Sequence, residues 1–421
     1  MLFRSLLDSC RDENDLVSLS LDELARLGAK KLLAEALDLE VAEYIDRCKD
    51  QRDDEGRRLV VRNGMGRERQ VTTGAGTLAV RAPRVNDRRD GKKFSSSILP
   101  PYLRRSANVE SILPLLYLKG LSGNAFQDAL CGLLGDEARG LSSSSIASLK
   151  KRWCQEAELW RKRAIEEQYV YLWADGVNVK IRLGEDKKLC LLVIIGVTAQ
   201  GRKRVLAIES GYRESAESWS VVFKDLVQRG LTAPWLIIGD GALGLWKAVD
   251  DIPSFQHTRT QRCWVHKIAN VLDKLPKRIQ PQAKRMLHDM MNAETKHDAE
   301  FEQRRFIDTF SSKHPKATSC LQSGWDELVT FFDFPAKHWL HIRTTNPIES
   351  SFATIKLRTR STKGAGSPQM AEVMAFKLML EAQRRWHRLR GHEEISTVLE
   401  GGLYKDGVLV DNSAQREAVG S

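Results

Sequence analysis

The chain has 421 residues, with 66 Lys plus Arg against 55 Asp plus Glu for a formal net charge of +11, and 42% of its residues are hydrophobic. This composition excludes a globally disordered chain, and the longest apolar run falls well short of the roughly 18 residues that a membrane helix needs. The seven cysteines are scattered and the first residues lack a signal-peptide pattern, so we expect a cytoplasmic protein with no membrane partner. The positive charge favours a polyanionic partner.

The first segment, residues 16–48, has the periodicity of an amphipathic helix. Ser20 followed by Glu23 predicts a capping box at its start. A stripe of apolar residues at helical spacing is expected to pack on another helix, within the subunit or across a dimer. The stripe consists of Leu24, Leu27, Leu32, Leu33, Leu37, Val41 and Ile45.

Residues 57–85 change to short alternating runs separated by glycines, which predicts a small β unit, and a polar linker follows to residue 97. This part of the chain is basic, because Gln51 to Arg105 contains 14 Lys or Arg against 6 acidic residues. A second basic block extends from Lys356 to Arg390. One block alone is most simply a solvated face, whereas two blocks around a more neutral middle indicate two contact surfaces for one long polyanion.

From Ser106 the pattern predicts three helices, at 109–117, at 125–134, and from a serine cluster at 142–145 to about residue 167. A turn containing Gly120 separates the first two. This order is typical of a helix-turn-helix DNA reader, and the serines would place phosphate-binding donors at a helix N-terminus. An ordinary helical bundle explains the stretch equally well.

The residue pattern changes again at Tyr169, and from there it predicts both strands and helices. Strands are predicted at 169–175, 189–197, 203–210, 235–239 and 258–265, with helices at 215–229 and 242–249. This order indicates a mixed α/β layer. Residues 267–340 are predicted to be helical, Asn346-Pro347 opens a helix that leads into the second basic block, and a polar, fraying tail is expected from Gly391.

Three acidic residues stand out by position. Asp175 is placed at the end of the first strand or interrupting it, Asp240 follows the strand at 235–239, and Glu349 opens the helix after Asn346. Carboxyl ends of strands are where α/β sheets place their chemistry, and converging carboxylates suit two Mg²⁺ or Mn²⁺ ions. Alternatively, Asp240 is only a turn residue and Glu349 only a member of a capping box with Asn346 at the cap.

Two further motifs suggest other chemistry. Residues 239–244 fit the dinucleotide-binding pattern GxGxxG, but Asp240 inside the loop would repel a pyrophosphate and no acidic residue follows the next strand. We therefore expect no nucleotide cofactor. Cys263 and His266 have C-x-x-H spacing without the second pair that a zinc site needs, and they have no orienting acid for thiol chemistry.

The chain resembles the Mutator-type transposases of bacterial insertion sequences, a group of the DDE superfamily. The resemblance covers about residues 20–390, with Met65 standing where an aromatic residue is expected. The N-terminal part of the match lies in Arg62–Gly64, Leu78–Arg84, Leu99–Tyr102, Arg104–Ser106 and Leu118–Ser122. The more specific matches are Asp175-Gly176, Gly239–Ala242, Cys263–His266 and Asn346–Ser350.

The resemblance implies an RNase H-like core with an all-helical insertion, and Asp175, Asp240 and Glu349 as the catalytic, metal-binding triad. It implies two Mg²⁺ or Mn²⁺ ions, terminal inverted repeats and target DNA as partners, an assembly of at least a dimer, and a nucleoid-associated protein. Cys263 and His266 would shape the site. The residues expected to contact DNA are Arg81, Arg84, Arg104, Arg105, Lys356, Arg358 and Arg360.

The expected organisation has seven parts. They are a helical segment at 1–50, a basic β unit and linker at 51–97, a helix-turn-helix-like region at 98–167, the first part of the core at 168–266, the helical insertion at 267–340, the catalytic-glutamate and basic helices at 341–390, and a tail at 391–421. Two other functions remain open, namely a non-catalytic helix-turn-helix regulator and a two-metal nuclease with a host role.

Overall fold

The computed structural model describes residues 19–119, 128, 131–132, 143–182, 188–211 and 213–410. The chain divides into two compact units, Met1–Leu149 and Lys150–Ser421. Among the described residues, no helix combines the length and the apolar composition needed to cross a membrane.

The first helix of this unit that the structure describes is α1, Leu21–Arg47, and its N-terminus confirms the predicted capping box. The Ser20 side chain accepts from the backbone N–H of Glu23, and the Glu23 carboxylate accepts from the Ser20 backbone N–H at 2.8 Å. Only part of the predicted stripe is buried, with Leu37 and Val41 in the core, whereas Leu24 and Leu32 are exposed.

Four short strands follow α1 and form two nested antiparallel pairs, as the alternating runs predict. They are β1 (Val60–Met65), β2 (Arg69–Thr73), β3 (Gly76–Val80) and β4 (Pro83–Asp87), with β1 paired to β4 and β2 to β3. Leu37 of α1 packs with Val71, Leu78, Val80 and Leu99 into one small core. The helix thus supplies the apolar cover that a pair of two-stranded sheets lacks by itself.

Helices α2 (Ala107–Lys119) and α3 (Ser143–Arg161) correspond to the first and third helices of the predicted DNA reader. Helix α3 ends at Arg161, several residues earlier than predicted. The turn containing Gly120 and most of the predicted middle helix at 125–134 lie outside the described residues, so the helix-turn-helix stays a prediction.

The second unit is built on a mixed five-stranded sheet, which confirms the predicted mixed α/β layer. Its strands are β5 (Tyr169–Lys180), β6 (Lys188–Thr198), β7 (Lys203–Gly211), β8 (Leu236–Gly239) and β9 (Arg259–Arg262), in the order β7-β6-β5-β8-β9. Strands β5, β6 and β7 pair antiparallel, and β8 and β9 run parallel to β5. Helices α4 (Ala216–Gln228) and α5 (Leu243–Asp250) bury one apolar face each against the sheet.

Two predicted strand boundaries are wrong. Strand β5 continues past Asp175 to Lys180, because its pairing with β6 extends to Lys188. Strand β9 ends at Arg262. Trp264 and Val265, which were predicted to lie in this strand, belong to helix α6. Cys263 is the N-cap of that helix, so the C-x-x-H motif lies on the first turn of a helix.

The region between the sheet and Glu349 is helical, as predicted. Its α-helices are α6 (Trp264–Leu272), α7 (Gln280–Met291), α8 (Lys296–Phe310), α9 (Pro315–Gln322), α10 (Trp325–Val329) and α11 (Trp339–Ile342), and short 3₁₀ turns occupy Thr330–Asp333 and Ala336–His338. The buried Gln261 side chain fixes this region to β9, since its amide donates to Leu328 O at 3.0 Å and its carbonyl accepts from Phe331 N–H at 2.7 Å.

The chain then returns to the sheet through α12 (Asn346–Ser361), which packs on β5, and α13 (Pro368–Gln383), which packs on β7. The expectation of a fraying tail from Gly391 is wrong for the part that the structure describes. Residues 391–410 form a 3₁₀ turn at His392–Glu394, helix α14 (Ile395–Leu399) and the hairpin of β10 (Tyr404–Lys405) and β11 (Val408–Leu409). Two backbone hydrogen bonds join Gly407 to Phe332 and Ala336, which anchors the hairpin.

Candidate active site

Asp175 and Asp240 lie at matching positions of neighbouring strands. Parallel strands β5 and β8 pair Trp173 with Ile238. Two residues further along both strands, the same register brings Asp175 level with Asp240 at the carboxyl end of β8. Because side chains on the same face of a strand recur every second residue, Asp175 and Asp240 continue the face of the sheet that carries Trp173 and Ile238.

Asp175 is the most buried acid of this group, with 7% of its surface exposed. Burial raises the pKa of its carboxyl group to about 7, and the neighbouring Glu214 and Asp240 carboxylates act in the same direction. His266 and the Gly176 backbone N–H, which donates to Asp175 Oδ1 at 2.8 Å, oppose the rise. A cation bound near Asp175, in addition to His266, would therefore be strongly favoured.

Asp240 is held by the turn that follows β8. Its Oδ1 accepts from the Ala242 backbone N–H at 2.8 Å, and Gly241 has a φ of +85°, in the left-handed region that favours glycine. At Gly244 an added methyl group would lie 2.6 Å from the carbonyl oxygen of Glu214. The glycine spacing of residues 239–244 thus follows from a tight turn and a close backbone approach, without a dinucleotide.

Glu349 lies in the first turn of α12, beside three polar side chains. Thr345 is the N-cap of this helix in place of the predicted Asn346, and its hydroxyl is 2.6 Å from Glu349 Oε1. His266 Nδ1 is 3.8 Å from the same oxygen. Within the described part of the chain, Cys263, His266 and Glu349 form one group of three whose potential ligand atoms lie within 4.8 Å of one another.

His266 stands between the buried carboxylates and the thiol. A hydrogen bond with Cys263 is the main cause that raises the pKa of His266 to about 9, and the charges of Asp175 and Glu349 add to it against the effect of burial. The imidazole is therefore positively charged at neutral pH in the metal-free protein. Its charge partly balances the acids that surround it.

Glu214, at the loop before α4, is a fourth acid in this site that the sequence reading missed. Burial and the Asp240 carboxylate raise the pKa of Glu214. Its side chain lies against Gly176, where an added methyl group would be 2.7 Å from Glu214 Cδ. Gly176, next to Asp175, therefore leaves room for the Glu214 carboxylate.

The chain is similar to known proteins over most of its length. It matches the family described as "Transposase, Mutator family" over residues 1–388. The chain belongs to this transposase family. This confirms the resemblance inferred from the motifs.

Individual members of the family match over most of their length. The chain is 47% identical over 304 residues to the transposase for insertion sequence element IS6120 of Mycolicibacterium smegmatis, covering 72% of this chain and 93% of that protein. It is 43% identical over 283 residues to the transposase for insertion sequence element IST2 of Acidithiobacillus ferrooxidans, covering 67% and 95%. The transposase for insertion sequence element ISRM5 of Rhizobium meliloti is 27% identical over 361 residues, covering 85% and 87%.

In this member of the Mutator family, the predicted DNA contacts differ in exposure. Those that are exposed are Arg81, Arg84, Arg104, Lys356 and Arg360, whereas Arg105 is half-buried. Arg358 is only 8% exposed, so its side chain offers DNA little surface in this conformation. Lys356 lies two turns after Glu349 on the same face of α12, since seven residues correspond to almost two full helical turns.

Proposed function

We propose that this chain is an insertion-sequence transposase that cuts and joins DNA with Asp175, Asp240 and Glu349 as its metal-binding triad. The observation that carries the proposal is the register of β5 and β8, which brings two acids of distant sequence position level with each other, together with the packing of α12, which carries Glu349, on β5. Family membership adds the reaction class. The DDE assignment and the metal requirement are parts of the proposal.

We also propose that the five-stranded sheet is an RNase H-like core. Its support is the topology, with three antiparallel strands followed by two parallel strands added on the far side of β5. The helices between β9 and α12 would then be the insertion that separates the second aspartate from the glutamate. In this arrangement each acid comes from a different element, and packing of those elements assembles the site.

The residue types of the proposed site fit a hard divalent cation. Asp175, Asp240, Glu214 and Glu349 offer carboxylate oxygens, which Mg²⁺ and Mn²⁺ prefer, and burial together with mutual repulsion raises the pKa of Asp175. Cys263 is fully buried and its sulfur accepts from the Thr345 backbone N–H at 3.3 Å, so we assign it to the support of the site. Two such cations, when bound, would activate the attacking oxygen and stabilise the leaving oxygen of a phosphodiester.

The protein's own residues would hold the cations and bind the DNA. Asp175 and Asp240 would hold the cations from the rigid sheet, and Glu349 would complete the set from α12. Lys356, exposed two turns along that helix, would bind a DNA phosphate next to the reacting one. The basic strands of the first unit would bind the terminal repeats, and a second copy of the chain would hold the other end of the element.

The test is a cleavage and strand-transfer assay on DNA that carries the element's own ends, with Mg²⁺ or Mn²⁺. We expect nicking and joining by the unmodified protein, and loss of about a hundredfold or more with Asp240→Asn. Asp250→Asn, on the exposed end of α5, is the matched control and should retain full activity. Cleavage that survives Asp240→Asn would refute the triad.

The same assay separates the other two functions. A non-catalytic regulator would bind the end DNA without cutting it, and Asp240→Asn would leave all its activities intact. A nuclease with a host role would cut DNA lacking the terminal repeats as readily as DNA carrying them. We expect a clear preference for the repeats.

A further inference from the structure

Thr345 occupies the centre of the group formed by Cys263, His266 and Glu349. Its hydroxyl oxygen is 2.6 Å from Glu349 Oε1, 3.2 Å from Cys263 Sγ and 3.5 Å from His266 Nδ1. Its backbone N–H also donates to Cys263 Sγ at 3.3 Å. Thr345 itself is fully buried.

A count of protons assigns a direction to this network. The threonine hydroxyl has one hydrogen, and Glu349 is the charged acceptor at the shortest distance, so the hydroxyl donates to the carboxylate. The lone pairs of the hydroxyl oxygen then face the thiol and the imidazole. Cys263 thus reaches Glu349 through this hydroxyl, and His266 reaches it both through the hydroxyl and directly, at 3.8 Å from Glu349 Oε1.

The orientation of the hydroxyl is fixed from two sides. Threonine is branched at Cβ, which restricts its first side-chain torsion, and the hydrogen bond from its backbone to Cys263 fixes the main chain. Glu349 is about one-third exposed and would rotate freely without such a partner. Residues behind a metal ligand commonly orient it in this way.

We propose that Thr345 is a positioning residue that aims the Glu349 carboxylate into the active site, with Cys263 acting on Glu349 through Thr345 and His266 acting both through Thr345 and directly, at 3.8 Å. The inference rests on the proposed function, because it needs Glu349 to be a ligand. It gives the C-x-x-H motif of this chain a role that requires no metal bond from the thiol.

The test measures Mn²⁺ affinity of the DNA-free full chain by titration calorimetry, together with cleavage as a function of metal concentration. Thr345→Val keeps the shape and removes the hydroxyl, and we expect Mn²⁺ binding to weaken roughly tenfold or more. Cleavage by this variant should recover at high metal concentration. Thr345→Ser restores the hydroxyl and should restore affinity to within about threefold of the unmodified protein.

Thr344→Val is the matched control. Thr344 is also buried, but its hydroxyl accepts from the Asn346 backbone N–H at 3.4 Å, so this variant should bind Mn²⁺ normally. In a Glu349→Gln background, Thr345→Val should cause no further loss of affinity, because its effect passes through Glu349. If Thr345→Val does not fold, Thr345→Ala takes its place in every comparison.

The inference is overturned if Thr345→Val binds Mn²⁺ and cleaves DNA like the unmodified protein, or if its loss persists in the Glu349→Gln background. Failure of the proposed function looks different. In that case Asp240→Asn would keep both Mn²⁺ binding and cleavage, whatever the behaviour of the Thr345 variants.

Discussion

Replacing Asp175 with asparagine should stabilise the metal-free protein at neutral and alkaline pH. Asp175 is buried among other acids, and its pKa is raised to about 7, whereas an unfolded aspartate titrates at about 3.9. The folded protein therefore binds a proton that the unfolded chain has already released between these two values. Stability is greatest below the lower value and is lost as the pH rises through about 7.

The size of this loss follows from the difference between the two pKa values. At about 1.36 kcal/mol for each pH unit, the titration of Asp175 lowers the stability of the metal-free protein, relative to a neutral side chain, by about 4 kcal/mol at pH 8 and by about 1–2 kcal/mol at pH 5. Asparagine has the same shape and no charge. We therefore expect Asp175→Asn to raise the free energy of unfolding by about these amounts at the two pH values.

The assay is urea denaturation in the presence of EDTA at both pH values, followed by circular dichroism. Glu166→Gln, in the exposed loop before β5, is the control and should change stability little at either pH. Saturating Mg²⁺ should stabilise the unmodified protein more than Asp175→Asn, because the cation binds the ionised carboxylate. A stabilisation that is equal at both pH values, or a destabilised variant at pH 8, would refute this account of Asp175.

Three further outcomes are expected. Gly176→Ala places a methyl group against Glu214, so DNA cleavage should fall at least tenfold while circular dichroism stays unchanged; full activity would show that Glu214 does not need its present position. Tyr171→Phe removes the buried hydroxyl that lies 2.7 Å from His338 Nδ1, and urea denaturation should show a loss of about 1–3 kcal/mol, whereas a neutral result would mean that the imidazole finds another partner. Lys356→Ala should reduce the slope of log affinity for DNA against log salt by about 0.9 in fluorescence anisotropy, as expected for one lost phosphate contact; an unchanged slope would argue against that contact.

The sequence predicts features that depend on local chemistry. The capping box of Ser20 and Glu23 needs only residues three positions apart, and the structure contains it. The alternation of apolar and polar residues likewise predicts the strands of both units. Asp175 is different, because β5 continues past it only through pairing with β6, which a local pattern does not contain.

Local sequence patterns identify some of the residues of the site and miss others. Asp175, Asp240 and Glu349 stand out because each follows or opens a recognisable element. Glu214 and Thr345 do not, since their importance lies in contacts with residues far away in sequence, at Gly176 and Cys263. The strand predicted to reach Val265 failed for a related reason, because the short apolar stretch Cys263-Trp264-Val265 fits a strand or the first turn of a helix equally well.

The division of the chain has a consequence for the order in which its parts emerge from the ribosome. The first unit ends at Leu149, so about 200 residues separate it from Glu349, or roughly 10–40 s of synthesis. During this interval a nascent chain carries the basic strands but cannot complete its triad. If those strands bind the terminal repeats as proposed, a product truncated within the helical region would occupy the ends without cutting them, and would act as a competitor of the full-length protein.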